Sequence, residues 1–242
     1  MNDKEFWDSV QASKEEKERG TYYLRERGLE EHFNVLKYLQ SFKKSGDDKV
    51  SYKEIATVLR YDKRIRRCLF KYIGVVEERL RAHFLDFYRD NPSTLIKTYI
   101  FIGVDNKQKG DFYKTITHLT FRQIINLFKK QGEEFKKSVF GDIQNMDINI
   151  GALAYLRNQV YHNKFLLNNL EFGECKYNNT KQTSLYANIK NLYFFSDLAC
   201  RRALIKEIKA CSICHHPKYE NQVDWKLPKD VIISFDNDPY IK

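Results

Sequence analysis

The stretch RYDKRIRRCLFKYIGVVEERLRAHFLDFY, residues 60–88, decides the fold class. Its apolar residues Ile65, Leu69, Ile73, Val76, Leu80, Phe84 and Phe87 recur at steps of four, four, three, four, four and three. That spacing marks one face of an α-helix, predicted to run from about Asp62 to Arg89. Asn91-Pro92 closes it, because a proline disfavours helical geometry in the residue before it. Between Arg60 and Arg81 the other faces carry eight basic residues (Arg60, Lys63, Arg64, Arg66, Arg67, Lys71, Arg79, Arg81) against three acidic ones (Asp62, Glu77, Glu78). Taken alone, such a surplus reads as a solvated helix face; it also suits a polyanion.

Outward from this helix the same period recurs. Leu29, Phe33, Leu36 and Phe42 fall at helical spacing within residues 20–44, before the polar break Ser45-Gly46-Asp47-Asp48. Ser51 followed by Glu54 forms a capping box. Thr120–Gln131 reads as a short helix opening on a Thr cap, and Asp147–Asn163 as another. Past the polar stretch Asn178–Thr183, one helix is expected from Ser184 to about Lys209. Asp105–Gly110 reads as a loop, and Val231-Ile232-Ile233 as a lone strand in a short irregular tail. Only 10 glycines and 4 prolines occur in the 242 residues, so few positions break a helix. The expected fold is all-α, with domains at 1–50 (N-terminal helical extension), 51–210 (helical bundle) and 211–242 (C-terminal tail).

The net charge of +10 favours an acidic partner without saying which. No apolar run is long enough to span a bilayer, and residues 1–20 are charged where a signal peptide would be apolar, so a cytoplasmic protein with no membrane partner is expected. The five cysteines, Cys68, Cys175, Cys200, Cys211 and Cys214, are odd in number and read as reduced thiols.

The pattern that carries chemistry is Leu156-Arg157-Asn158-Gln159-Val160-Tyr161-His162-Asn163. Leu153, Leu156 and Val160 share an inward face, while Arg157, Asn158 and His162 lie off it. Asn158 and His162 are four apart, so the carboxamide is placed to hold the imidazole in one tautomer. Arg157 and His162 are five apart, about 140° around a helix and roughly 7.5 Å along it, so they bracket a site instead of converging on one atom. Two copies crossing at a two-fold axis would bring both pairs around one cleft. A neutral His can take a proton from a ribose 2′-OH and a protonated one can give a proton to the leaving 5′-oxygen, while an Arg can stabilise charge on the phosphate oxygens. The same residue types also serve as caps and surface charge, and a bare R-x4-H is a weak signal by itself.

In its context the segment resembles the LRN-x3-H signature of the abortive-infection (AbiD/AbiF-like) proteins of the HEPN superfamily. Residues 60–88 resemble that family's long helix, which carries a Glu followed by an Arg. Thr120-Phe121-Arg122-Gln123-Ile124-Ile125 stands where the family has an S/T-F-G-x-L segment, with Arg122 in the place of the glycine. Leu185–Leu204 is similar to the helix after the motif. The resemblance spans roughly residues 20–205. It implies a HEPN-like bundle, homodimerisation and a metal-independent endoribonuclease with Arg157 and His162 as the catalytic pair, supported by Asn158. Cutting through the 2′-OH would leave a 2′,3′-cyclic phosphate and a 5′-OH end. The implied biology is phage defence or a toxin–antitoxin pair, with RNA as substrate and a structured non-coding RNA as a further partner. RNA-contacting candidates are Arg64, Arg67, Lys71, Arg81 and Lys164; supporting positions are Glu77, Glu78 and Tyr161. Asn163-Lys164-Phe165 stands where many relatives continue with a second His or Arg-rich run.

Other readings stay open. A non-catalytic protein binding a structured RNA would use the same basic helix. Cys211, Cys214, His215 and His216 have zinc-like spacing but supply three obvious ligands where a structural site needs four, with Cys175 or Cys200 as a completing thiol; free thiols are the alternative, and no cofactor is expected. His83 and His118 read as surface or interhelical residues, and Tyr193-Phe194-Phe195 as core. P-loop, dinucleotide and HExxH motifs are absent from the sequence.

Overall fold

Side-chain caps fix where most helices start in the computed structural model, which describes residues 2–43, 49–90, 112–168, 172–213, 227 and 231–241. Asn2 and Glu5 exchange capping bonds at the head of α1 (Asp3–Ser9), and Ser13 and Glu16 do the same for α2 (Lys14–Arg27). Gly28, at φ 86°, separates α2 from α3 (Leu29–Gln40). Each reciprocal box satisfies backbone N–H groups that a helix start leaves unpaired.

The Ser51–Glu54 box is also present: the Glu54 carboxylate accepts from the Ser51 N–H at 2.7 Å, and the Ser51 hydroxyl accepts from the Glu54 N–H at 3.2 Å. It opens a helix longer than expected. One continuous α4 runs from Tyr52 to Asp90, so the segment read as beginning near Asp62 starts ten residues earlier. No glycine or proline interrupts residues 52–61, and Ile55, Val58, Leu59 and Tyr61 extend the buried face. From Ile65 to Phe84 the stripe is fully buried, and Phe87 is half-buried.

Then come α5 (Phe112–His118), α6 (Phe121–Lys129), α7 (Glu133–Phe140) and α8 (Met146–Tyr161). Thr120 and Gln123 box the start of α6, as expected. A two-stranded antiparallel hairpin follows, β1 (Cys175–Tyr177) with β2 (Thr180–Gln182), in the register Cys175 to Gln182. The sequence reading treats this region as merely polar. The signal was Asn178-Asn179, which adopt φ 45° and 64°, the paired left-handed turn that matches strand twist.

The single helix expected from Ser184 to Lys209 is two, α9 (Leu185–Phe195) and α10 (Leu198–Cys211). Ser196 turns extended, and the Asp197 carboxylate caps the new helix by accepting from the Cys200 N–H at 2.8 Å. Arg201 then ties off the end of α9, donating to the carbonyls of Tyr193, Phe194 and Ser196. An N-capping aspartate and an arginine four residues on outweigh an unbroken apolar period. Tyr193 and Phe195 are core, as expected, whereas Phe194 is half-buried.

The chain divides into two compact units: Met1–Cys68 with Asn163–Leu170 and Ile205–Lys242, and Leu69–His162 with Glu171–Leu204. The expected bounds at 1–50, 51–210 and 211–242 follow composition along the chain, whereas these units are groupings in space. In the first unit the tail packs inward: the Ile233 N–H donates to the Tyr61 hydroxyl at 2.9 Å, and Phe235 is buried. That bond occupies a backbone group a strand would need. Residues 232–234 form no strand, which corrects the expectation for Val231-Ile232-Ile233. Among the described residues the fold is all-α apart from the small hairpin.

Candidate active site

Helix α8 carries the motif, and a polar brace sets its position in the second unit. The buried Asn149 carboxamide donates to the carbonyls of Gln144 (2.9 Å) and Lys176 (3.2 Å) and accepts from the Lys176 N–H (2.7 Å). Asn191 on α9 donates to the Asn149 carbonyl at 2.6 Å. Gly173 lets the chain lie against the helix, since a Cβ there would stand 2.5 Å from the Ala152 Cα. Ile150, Leu153, Leu156 and Val160 fill the core beneath. Buried polar groups with their partners in place hold a helix to one rotation. The sequence reading missed this brace; its only trace is asparagine within apolar helices.

The inward face leaves Arg157 half-buried and His162 exposed. The Arg157 guanidinium lies 3.9 Å from the Tyr161 ring centroid, and Phe70 of α4 stacks on Tyr161 at 4.4 Å and 24°. Both are too close to that centroid to share one face, so Tyr161 is sandwiched between them. The Arg157 Nε is buried without a hydrogen-bond partner, and among the described residues no carboxylate pairs with this guanidinium. Burial raises the Tyr161 phenol, the Glu77 carboxylate adds to that rise, and Arg157 opposes it. Glu77 is half-buried and paired with Arg81, whereas Glu78 is exposed.

His162 closes the helix at φ −85°, ψ 12°, its N–H donating to the Asn158 carbonyl at 3.0 Å. Its imidazole receives no hydrogen bond from the Asn158 side chain, although the backbone bond places the two residues one turn apart. The orienting role expected of Asn158 is therefore not made within this chain. Among the described residues no group bonds the His162 ring.

The expected RNA-contacting residues separate into two kinds. Arg81 is occupied: it grips the carbonyls of Ile116 (2.5 Å), Thr117 (3.1 Å) and Leu119 (2.6 Å) at the end of α5 and pairs with Glu77 at 2.5 Å. Arg64 donates to the Ile213 carbonyl at 2.7 Å. Arg67, Lys71 and Lys164 are exposed, with Lys71 over the Tyr72 ring at 4.9 Å.

In the first unit, Asp62 and Arg66 hold the segment that follows His162 in sequence. The Asp62 carboxylate accepts from the Leu166 N–H at 2.7 Å, and Arg66 donates to the Asn163 carbonyl. Asp62 and Arg66 lie 2.9 Å apart as a charge pair, out of line for a hydrogen bond, with Glu31 at 3.5 Å from Arg66. Burial pushes the Asp62 carboxyl up to about 7, against the pull of Arg66. A single acidic residue on a basic helix gave no sign of this in the sequence.

Among the described residues Cys68, Cys175, Cys200 and Cys211 form no disulfide. Cys214, His215 and His216 lie outside the described residues, as do Asn91-Pro92, Asp105–Gly110 and the Ser45–Asp48 break. Cys175 packs with Ala152 and Ala187, and burial pushes its thiol up to about 12, unlike a metal-binding thiolate. His118 is exposed and His83 half-buried. No helix among the described residues is long and apolar enough to cross a membrane.

No known protein family, curated protein or solved structure matches the chain.

Proposed function

We propose that the protein is an endoribonuclease that cuts RNA through the ribose 2′-OH, with Arg157 and His162 as its catalytic residues and two copies sharing one composite cleft. The observation that carries the reading is Arg157: a half-buried guanidinium resting on Tyr161, with no carboxylate partner among the described residues. A cation stabilised by a ring face instead of a counter-charge keeps its N–H edges for an incoming phosphate. The exposed imidazole of His162, five residues on, is open to proton transfer. The net charge of +10 suits a polyanionic substrate. The resemblance of the LRNQVYHN segment to the abortive-infection proteins points the same way and extends the proposal to phage defence or a toxin role.

In the reaction one His162 takes the 2′-OH proton while the 2′-oxygen bonds to phosphorus. The P–O5′ bond breaks, and the 5′-oxygen takes a proton from the second copy's His162. Arg157 neutralises the charge that grows on the two non-bridging oxygens. The nucleophile belongs to the substrate, so the scheme needs no activated water.

The test is incubation of purified protein with a mixed RNA pool, with and without EDTA, followed by end-group analysis. Cyclic phosphate and 5′-OH ends in both conditions are expected, and their loss in Arg157→Ala and His162→Ala. Full cutting by either variant sinks the proposal. Intact RNA, with salt-dependent binding retained, selects the non-catalytic RNA-binding reading instead.

A further inference from the structure

We infer that the outer side of α8, together with α6 beside it, is a track for single-stranded RNA, with Tyr155 as a base-stacking platform and Arg122 and Lys129 as phosphate contacts. The inference rests on the proposed ribonuclease reading and describes how that site receives its strand.

Gly151, Tyr155, Asn158 and His162 follow steps of four, three and four, so they share one face of α8. Tyr155 is 49% exposed, while the residues flanking it, Ala154 and Leu156, are buried. On α6, Arg122 brings its guanidinium 5.6 Å from the Tyr155 ring centroid. Seven residues later the Lys129 amine sits over Gly151, 2.5 Å from where a Cβ would stand. Arg122 beside Tyr155 and Lys129 beside Gly151 mean that the two helices run in opposite directions. The cations are spaced about 10 Å along α6.

The charge at this surface is unbalanced. Burial lowers the Lys129 amine from its ordinary range, with Asp147 opposing and with Arg122 and Lys136 adding to the fall. Asp147 itself is engaged by Lys136 at 2.9 Å. Among the described residues neither Arg122 nor Lys129 has a carboxylate within ion-pair distance.

This combination selects the ligand. Two unpaired cations flanking an exposed ring match a chain that alternates phosphates with flat bases, and an unpaired base is what a lone ring can stack. A second copy covering Arg122 and Lys129 with the same two residues of its twin would set like charges against each other, so the two-fold contact proposed around Arg157 and His162 leaves this stretch open. A purely apolar partner would bury Arg122 and Lys129 without compensation. On this track a base on Tyr155 lies two helical turns before His162, about 10 Å along the axis, so the strand leads toward the imidazole.

The test uses a short 2′-O-methyl RNA oligomer, which cannot be cut through the 2′-OH, and a matching oligomer with abasic sites. Binding to the full-length protein is followed by fluorescence anisotropy across salt concentrations. Tyr155→Leu should weaken binding of the base-bearing oligomer about five- to a hundredfold, and change the abasic one little. Tyr155→Phe should keep the affinity, because the ring remains. Arg122→Ala and Lys129→Met should each lower the salt slope by about 0.7. Thermal melts check that all four variants fold. Parent-like binding by the Leu, Ala and Met variants overturns the track, as does an equal loss on the abasic oligomer or a parent that binds neither. Cleavage of unmodified RNA is scored separately. Cutting that depends on His162 while the track variants bind normally removes the track alone. Track-dependent binding with no cutting removes the reaction alone.

Discussion

Replacing Asp62 with asparagine removes a buried titrating carboxyl while leaving an acceptor of the same size for the Leu166 N–H. In the fold, burial pushes this carboxyl from 3.8 up to about 7, with the Arg66 guanidinium and the Leu166 and Leu167 N–H groups opposing. An acid whose folded pKa lies above its unfolded value keeps its proton in the fold after the unfolded chain has released it. Stability is therefore greatest below about pH 4, falls between about 4 and 7, and levels off above. At about 1.4 kcal/mol for each pH unit, a rise of about three units corresponds to on the order of 4 kcal/mol. The substituted carboxamide must also face Arg66 with its amide, a penalty that is the same at every pH. The informative quantity is thus the difference between parent and Asp62→Asn in urea-unfolding free energy, measured from pH 4 to 8. This difference should move in favour of the variant by a few kcal/mol as pH rises, with most of the change between about 5 and 7. Parallel curves over that range would refute the reasoning, since Asp62 would then carry the same proton in both states.

Two other substitutions probe what positions the motif helix and its neighbours. Gly173→Ala drives a Cβ into the Ala152 backbone, 2.5 Å from its Cα, and should cost about 1–3 kcal/mol, read as a lower denaturant midpoint. Arg81→Met frees the carbonyls of Ile116, Thr117 and Leu119 and leaves Glu77 without its partner, so a loss of about 2–4 kcal/mol is expected. A melting temperature unchanged from the parent would show that Arg81 is not the clamp on α5. Since that guanidinium is already occupied, Arg81→Met in folded protein should reduce RNA affinity less than Arg67→Ala, as compared by filter binding.

The all-α class, the capping boxes at Ser51 and Thr120, and the inward face of the motif helix were legible in the sequence. Each depends on residues no more than four apart along one helix, so local spacing determines it. The two-helix break at Ser196-Asp197 is local too, but its cap lies inside an apolar period that hides it. What only the tertiary structure decided concerns residues distant in sequence. Arg81 became a clamp because α5 ends against it. Arg157 rests on Tyr161, itself stacked on Phe70 of another helix. Tyr155 meets Arg122 from α6, and Asp62 is buried under a segment about a hundred residues later. A side chain's role depends on which counter-charge, ring or carbonyl packing brings within a few ångströms, and spacing along one helix carries no record of that.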